Sequence, residues 1–273
     1  FALCASTHHE VKDMIQGIKT LNDYRGLLWM WALRGIKARY QQTVLGASWA
    51  IFQPLALTAV YVLVFSVFVR VNTGDVPYPL FIYTGLLPWL FFANSLTQAV
   101  QSIVQNMDLV TKIYFPREIL PIAALGIPLV DYLAGVLVLM ALLLIYGVSL
   151  RAYALLVPML LLLQILFTLG LAFYGSALNV RFRDVGHIIP LALLLWQFST
   201  PIIYPLEMVP ERFRTLYLLN PMAVIIDSYK MVLLQGLPPR WAFRGLASVV
   251  TLALLVSGYG LFQRWQRAFA DII

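Results

Sequence analysis

Long stretches without a charged residue divide the chain. They cover residues 40–69, 76–107, 132–150, 152–180, 188–206 and 245–263. A helix needs about 20 mostly apolar residues to cross the hydrocarbon core of a bilayer, and solid apolar stretches favour helices over the alternating strands of a membrane barrel. We therefore predict six membrane-spanning helices, at roughly 44–69, 80–104, 119–146, 153–178, 187–205 and 246–264.

The third predicted span continues across one acidic residue, Asp131. A carboxyl group within a span indicates a functional site by default, so a proton relay or an ion site stays open. Pairing with an amide of a neighbouring helix is the other possibility. Because the spans contain no basic residue to pair with Asp131, we favour a structural role.

Residues 206–244, between the fifth and sixth spans, include an uncharged stretch of only a dozen residues, TLYLLNPMAVII at 215–226. An apolar stretch this short is more typical of a re-entrant or interfacial segment than of a span. Asn220 precedes Pro221, and the residue before proline is disfavoured in a helix. We predict two short re-entrant helices that enter from the outer side; an external surface loop is the alternative.

The segment YRGLLWMWALRGIKARYQQ, residues 24–42, precedes the first span. Apolar residues recur in it at helical spacing, and Arg34 and Lys37 share the opposite side. We predict an amphipathic interface helix at the cytoplasmic surface, with Trp29, Arg34, Lys37 and Arg39 in contact with membrane lipids. A cytoplasmic cap anchored by tryptophan would occupy the same position.

The composition agrees with a membrane protein. The 273 residues are 61% hydrophobic and 11% charged, whereas soluble domains are about a quarter charged. The net charge of +7 fits the Lys and Arg excess of cytoplasmic loops better than nucleic-acid binding. Twelve of the 19 Lys and Arg residues lie inside if the N-terminus does, so we expect an all-α, multi-pass protein with both termini cytoplasmic and no nucleic-acid partner.

The second predicted span carries a stripe of side-chain amides, Asn94, Gln98, Gln101 and Gln105, which helical spacing places on one face. Amides without partners are costly in hydrocarbon, so the stripe could line a hydrated path for a hydroxyl-rich substrate. Hydrogen bonding between helices is an equally open alternative. As residues of the translocation path we select Tyr83, Phe91, Asn94, Gln98 and Gln101.

Motifs of nucleotide and catalytic sites are missing from the sequence. It contains no G-x-x-x-x-G-K-[ST], H-E-x-x-H or G-x-S-x-G. Its single cysteine, Cys4, cannot form an intrachain disulfide. We predict no catalytic residue, no metal site and no cofactor in this chain.

Six motifs together resemble a known family in order and spacing. They are ARYQQTVLGASWAIFQP (38–54), GLLPWLFFANSL (85–96), KIYFPREILP (112–121), NVRFRDVGHI (179–188), STPIIYP (199–205) and LNPMAVIIDSYK (219–230). The resemblance is to the type-2 permeases of ABC transporters, in the branch that exports O-antigen, capsular and teichoic-acid polysaccharides. It covers about residues 24–267.

The resemblance implies a homodimer in the bacterial inner membrane that moves a lipid-linked polysaccharide, foremost O-antigen, out of the cytoplasm. Each subunit would bind a separate ABC ATPase, and that ATPase would bind ATP and Mg. The chain then divides into cytoplasmic tails at 1–23 and 268–273, an interface helix at 24–42 and a permease domain at 44–267.

The resemblance also gives a role to the charged segment NMDLVTKIYFPREILP at 106–121. In the family, this inner loop forms a coupling helix in a cleft of the ATPase. The corresponding residues here are Lys112, Ile113, Tyr114, Phe115, Pro116 and Arg117. The aromatic rings would transmit motion as projecting knobs and the cations would fix the register; Asp108 and Glu118 would cap or pair locally. A second, lesser contact would be Arg181, Arg183 and Asp184.

Other interpretations stay open. The charged segment could be a solvated turn whose cations only set the topology. A drug or small-lipid exporter would share the permease fold but need a narrower, more apolar path. A membrane glycosyl or acyl transferase would need an acid, base or metal group, for which Asp131 alone does little. An ion-coupled carrier would need repeated halves, which are not evident.

Overall fold

The computed structural model describes residues 23–41, 46–112 and 115–266, and within these ranges the chain is helical and contains no strand. The α-helices are α1 (Arg25–Tyr40), α2 (Trp49–Tyr61), α3 (Tyr78–Gln105), α4 (Met107–Lys112), α5 (Ile119–Ala124), α6 (Gly126–Ile145), α7 (Val157–Arg181), α8 (Val185–Phe198), α9 (Glu211–Leu218), α10 (Pro221–Lys230) and α11 (Trp241–Gln266). Two π-helical segments continue α2 and α10, Val62–Phe68 and Met231–Gln235. Short 3₁₀ turns cover Gly46–Ser48, Ala152–Leu156 and Leu206–Met208.

Five helical stretches are long and apolar enough to cross a membrane: Trp49–Phe68, Tyr78–Gln105, Ile119–Ile145, Ala152–Arg181 and Trp241–Gln266. They coincide with the first four predicted spans and the sixth. The prediction of an all-α, multi-pass membrane protein is confirmed.

The fifth predicted span, 187–205, is shorter in the structure. Its helix, α8, has only 14 residues, fewer than a full crossing needs. The hydroxyls of Ser199 and Thr200 bond back to carbonyls in the last turn of α8. Pro201 follows and lacks the N–H group that another helical turn would use. The helix therefore ends at Phe198.

The segment before the last span contains the two predicted short helices. α9 and α10, with the continuation of α10, form a pair bent by 102°, which we call the hairpin (residues 211–235). Asn220 caps α10 by accepting a hydrogen bond from the Met222 N–H group, and Pro221 takes the first helical position, where its missing N–H costs nothing. Val224, Ile225 and Ile226 are at most 2% exposed, so α10 is packed into the protein, whereas Phe213 and Leu216 leave much of α9 exposed.

Helix α3 is the centre of the bundle. Leu80, Ile82, Tyr83 and Phe92 on this helix are fully buried, and α3 packs against α2, α5, α6, α7, α8 and α10. Because α3 has neighbours on every side, few of its side chains are free to face lipid or a second subunit.

Helices α7 and α11 are in direct backbone contact. A Cβ atom added at Gly258 would lie 2.5 Å from the Gly170 carbonyl oxygen, and one added at Gly170 would lie 2.9 Å from the Leu255 nitrogen. Small residues at a membrane helix interface allow backbones to approach this closely. These two glycines lock α7 and α11 together.

The connections define two ends of the bundle. The interface end carries α1, α4, the loop 182–184 and the end of α11, where the Arg117 guanidinium donates a hydrogen bond to the Gln266 carbonyl. The hairpin end carries the loops 69–77 and 146–156, the turn 199–205 and the hairpin. There the Tyr78 hydroxyl donates to the Ile203 carbonyl at 2.9 Å.

Candidate coupling surface and membrane path

An apolar cluster at the interface end holds the loop between α3 and α5. We call it the coupling cluster; its buried members are Ile103, Val110, Phe115, Leu120, Phe173, Ala177, Val180, Tyr259 and Phe262. The Phe173 ring on α7 lies 5.4 Å from the rings of both Tyr259 and Phe262 on α11. Val110 of α4 and Phe115 therefore share one close-packed apolar core with α7 and α11.

Phe115 faces into the subunit and is 9% exposed. We expected its ring to project toward a partner as a knob, and the structure corrects that expectation. The ring packs in the coupling cluster because the cluster offers it an apolar environment that water cannot. Phe115 therefore links the loop to the helices behind it.

The other predicted coupling residues differ in exposure. Lys112 is exposed, whereas Pro116 and Arg117 are half-buried. Arg117 binds the end of α11 through the Gln266 carbonyl. Ile113 and Tyr114 lie outside the described residues.

The second predicted contact, Arg181, Arg183 and Asp184, lies on the surface at the same end. The Arg181 guanidinium carbon is 5.4 Å from the centre of the Trp265 ring, a cation–π distance. Both loops rest on the coupling cluster through Val110 and Val180. Both loops therefore lie beside the same apolar cluster.

Asn179 fixes the second loop to α3 and was missed by the sequence analysis. Its side-chain amide donates to the Val100 carbonyl at 3.0 Å and its oxygen accepts from the Gly186 N–H group at 2.8 Å. A buried amide needs such partners. The signal available in the sequence was an Asn within an apolar stretch, two residues before Arg181.

Glu118 is a buried acid beside the coupling cluster and is 4% exposed. Its carboxylate accepts a hydrogen bond from Gln263 on α11 at 3.4 Å. Burial raises the pKa of the Glu118 carboxyl above its ordinary value, and the hydrogen bonds from Gln263 and Tyr259 oppose that rise. Glu118 thus contacts the last span as well as its own loop.

The structure places the predicted translocation residues in two different environments. The Tyr83 hydroxyl donates to the Gly135 carbonyl at 3.1 Å, and the Phe91 ring lies 5.6 Å from the Tyr132 ring. Both side chains are at most 2% exposed, because α3 is the central helix. In this structure they contribute to the core of the subunit.

Asn94, Gln98 and Gln101 are half-buried. Gln101 donates to the Gly186 carbonyl at 3.4 Å and accepts from Gln105 at 2.9 Å. Asn94 lies in a narrow crevice beside Asp131. The stripe therefore makes contacts between helices at Gln101, and a path along Asn94 and Gln98 stays a prediction.

Asp131 forms an ion pair with Arg39 of α1, with 3.2 Å between the guanidinium nitrogen and the carboxylate oxygen. The predicted spans contain no basic residue, and this partner comes from outside them. α1 supplies one because it packs lengthwise along α5 and α6: a Cβ atom at Gly126 would lie 3.1 Å from the Ala32 Cβ. Along α1, Trp29 is 64% exposed and Arg34 and Lys37 are exposed.

Lys230 is a buried cation at the hairpin end and is 5% exposed. Its ammonium donates to the carbonyls of Pro201 and Ile202 at 2.7 and 2.9 Å and lies 3.5 Å from the centre of the Phe81 ring. Gly85 makes room for it, since a Cβ atom there would lie 2.8 Å from the Lys230 Cε. Lys230 thus joins the hairpin to the turn after α8.

The sequence model described as ABC-2 type transporter matches residues 26–234, which is more than half of the chain. The chain belongs to the ABC-2 type transporter family. The sequence-based assignment to the type-2 ABC permeases is confirmed. The match runs from α1 through α10, so it includes the loop between α3 and α5, the loop 182–184 and residues 211–234 of the hairpin.

Curated relatives of this ABC-2 type chain carry names of polysaccharide export. It is 35% identical over 263 residues to the O-antigen export system permease protein RfbA of Myxococcus xanthus. The aligned region covers 95% of this chain and 100% of the relative. It is 30% identical over 241 residues to the protein of the same name from Klebsiella pneumoniae, covering 88% and 92%. The polysialic acid transport protein KpsM of Escherichia coli is 23% identical over 241 residues, covering 86% and 92%.

Proposed function

We propose that this chain is the permease subunit of an ATP-driven exporter that moves a lipid-linked polysaccharide, with O-antigen as the polysaccharide, across the bacterial inner membrane. The observation that carries the proposal is the 35% identity, over the full length of the relative, to an O-antigen export permease. ATP and Mg are assigned to a separate ATPase subunit, because the sequence contains no P-loop.

In the proposed complex, two copies of this chain bind two copies of the ATPase, with the interface end and both termini in the cytoplasm. Closure of the ATPase pair would press on the surface formed by Lys112, Arg181, Arg183 and Asp184. The coupling cluster would carry that displacement to α7 and α11. The clustering of both loops on a common apolar cluster supports this route.

The path for the polysaccharide would lie between the two copies of the permease. α2 and α8 present apolar side chains outward, including Phe52 at 54%, Leu195 at 64% and Phe198 at 52% exposure. The Gln197 amide donates to the Tyr61 hydroxyl at 2.9 Å and joins these two helices. An aromatic and amide pair on an apolar face suits weak, repeated contacts with sugar rings.

Deletion of the gene in a bacterium that carries it tests the function. We expect loss of the surface polysaccharide, accumulation of its lipid-linked form on the cytoplasmic side, and recovery when the gene is supplied on a plasmid. A drug or small-lipid exporter would leave the surface polysaccharide unchanged on deletion, and that result would overturn the proposal.

Coupling is tested by Phe115→Ala in the complex with its ATPase, in lipid nanodiscs and in cells. Removal of the ring from the coupling cluster should lower export while ATP hydrolysis continues. Phe213→Ala is the control, because that ring is 45% exposed at the hairpin end. Normal export by Phe115→Ala would count against the proposed route.

A further inference from the structure

A cavity of about 450 Å³ with a mixed polar and apolar lining opens among the loops of the hairpin end. Its walls come from the loop 69–77, Phe81 of α3, the turn 201–208, the hairpin and Arg240 just before α11. Besides Lys230, the polar groups that line it are Asn72, Thr73, Glu207, Asp227, Gln235 and Arg240. Its volume is in the range of small-molecule binding sites.

The charges around this hairpin-end cavity are balanced. The Arg240 guanidinium lies 3.4 Å from the Asp227 carboxylate and 3.7 Å from the Glu207 carboxylate. Lys230 closes the back of the cavity with its ammonium directed at two backbone carbonyls. Two carboxylates and two cations leave little net field, which favours neither a phosphate nor a metal cation over a neutral ligand.

The chemistry of the lining matches a neutral ligand rich in hydroxyl groups. Carboxylates accept hydrogen bonds in pairs, a guanidinium donates in pairs, and amides do both. Adjacent hydroxyls of a sugar can use both kinds of group at once. Pro205 and Met208 add apolar wall, which suits the C–H face of a sugar ring.

We propose that the hairpin-end cavity binds an uncharged sugar unit of the departing polysaccharide on the outer side of the membrane. The inference rests on the proposed function, which supplies both the polysaccharide and the orientation. A sugar held there would resist return of the polymer between cycles of ATP hydrolysis.

The single cysteine of the chain allows a direct test. In a Cys4→Ser background, Asn72→Cys places a thiol in the cavity. Asp75→Cys is the matched control, because Asp75 is exposed on the same loop and does not line the cavity. Spheroplasts from a strain that makes no polysaccharide are treated with a membrane-impermeant maleimide, with and without millimolar methyl mannoside, methyl N-acetylglucosaminide or glucuronate.

We expect at least one neutral glycoside to slow labelling of Asn72→Cys several-fold and to leave Asp75→Cys unchanged. Glucuronate should protect less, because its carboxylate would lose hydration and gain little from a cavity whose charges are already balanced. Equal labelling rates with and without every glycoside, or equal protection at both positions, would overturn the proposal. So would an Asn72→Cys thiol that the outer reagent never reaches.

The deletion and the labelling experiment together distinguish a failure of the sugar site from a failure of the proposed function. If deletion of the gene abolishes the surface polysaccharide but glycosides fail to protect Asn72→Cys, only the sugar site is wrong. If deletion leaves the polysaccharide in place, the proposed function itself is wrong. Gln235→Leu gives a second measurement: export should fall several-fold with ATP hydrolysis retained, and unchanged export would also count against the site.

Discussion

The ion pair between Arg39 and Asp131 should contribute measurably to stability, because it joins α1 to a membrane-spanning helix. Unit charges 4 Å apart attract by about 4 kcal/mol at an effective dielectric constant of 20. The two side chains are 33% and 16% exposed, so solvent screening reduces that value. Loss of one partner from a fully buried pair costs about 3–5 kcal/mol, and we expect a coupling energy of about 1–2 kcal/mol for this partly exposed pair.

A double-mutant cycle measures that coupling. Arg39→Ala, Asp131→Ala and the double variant are compared in nanodiscs by thermal unfolding at one fixed scan rate, because membrane proteins often unfold irreversibly. A loss of 1 kcal/mol lowers Tm by about 2–4 °C in a chain of this size. Each single variant should lose about 2–8 °C, and the double variant should lose less than the sum of the two.

Lys37→Ala is the matched control, because Lys37 is an exposed cation two residues away on the same helix. It should shift Tm by no more than about 2 °C, because surface substitutions usually change stability by less than about 0.5 kcal/mol. Exchange of the charges, Arg39→Asp with Asp131→Arg, should recover part of the lost stability. Strictly additive losses in the alanine cycle would refute the reasoning that the pair is coupled.

Three further predictions concern packing and buried charge. Gly258→Ala should abolish folding or lower Tm by more than about 8 °C, because the added methyl meets the Gly170 carbonyl; Gly245→Ala on the same helix, with open space around it, should leave Tm unchanged or higher. Lys230→Met should cost about 2–4 kcal/mol, because two buried carbonyls lose a charged donor, whereas Lys112→Met at an exposed position should cost almost nothing, as thermal unfolding would show. Burial raises the pKa of Glu118 above its ordinary 4.5. Below pH 4.5 the carboxyl is protonated in both the folded and the unfolded chain, so it does not reduce stability. As the pH rises through the folded pKa, stability falls, because burial disfavours the charged carboxylate. Glu118→Gln should therefore raise Tm relative to the parent at pH 8 and by less at pH 5, and an equal difference at both pH values would contradict this.

Much of the helix order could be predicted from charge spacing. The positions of Arg70, Arg151 and Arg181 near the ends of long apolar stretches located those spans within a few residues, because a charge is costly in hydrocarbon. The hairpin was predictable from Asn220-Pro221, since the same pair that disfavours a continuous helix also caps the next one.

Contacts between distant parts of the chain could not be predicted in this way. The partner of Asp131 is Arg39, which lies outside every span, and only the packing of α1 along α6 brings the two together. The orientation of Phe115 depends on an apolar cluster assembled from five helices. A sequence shows that a side chain is aromatic or charged, but the space available around it decides whether it is exposed.

The shortness of α8 has a consequence for the lipid beside it. Its 14 residues rise about 21 Å, whereas the hydrocarbon core is about 30 Å thick. Wherever α8 faces lipid, acyl chains must compress, or headgroups and water must reach inward, to relieve that mismatch. A polar molecule that crosses alongside α8 therefore meets a thinner apolar barrier than it would elsewhere around the subunit.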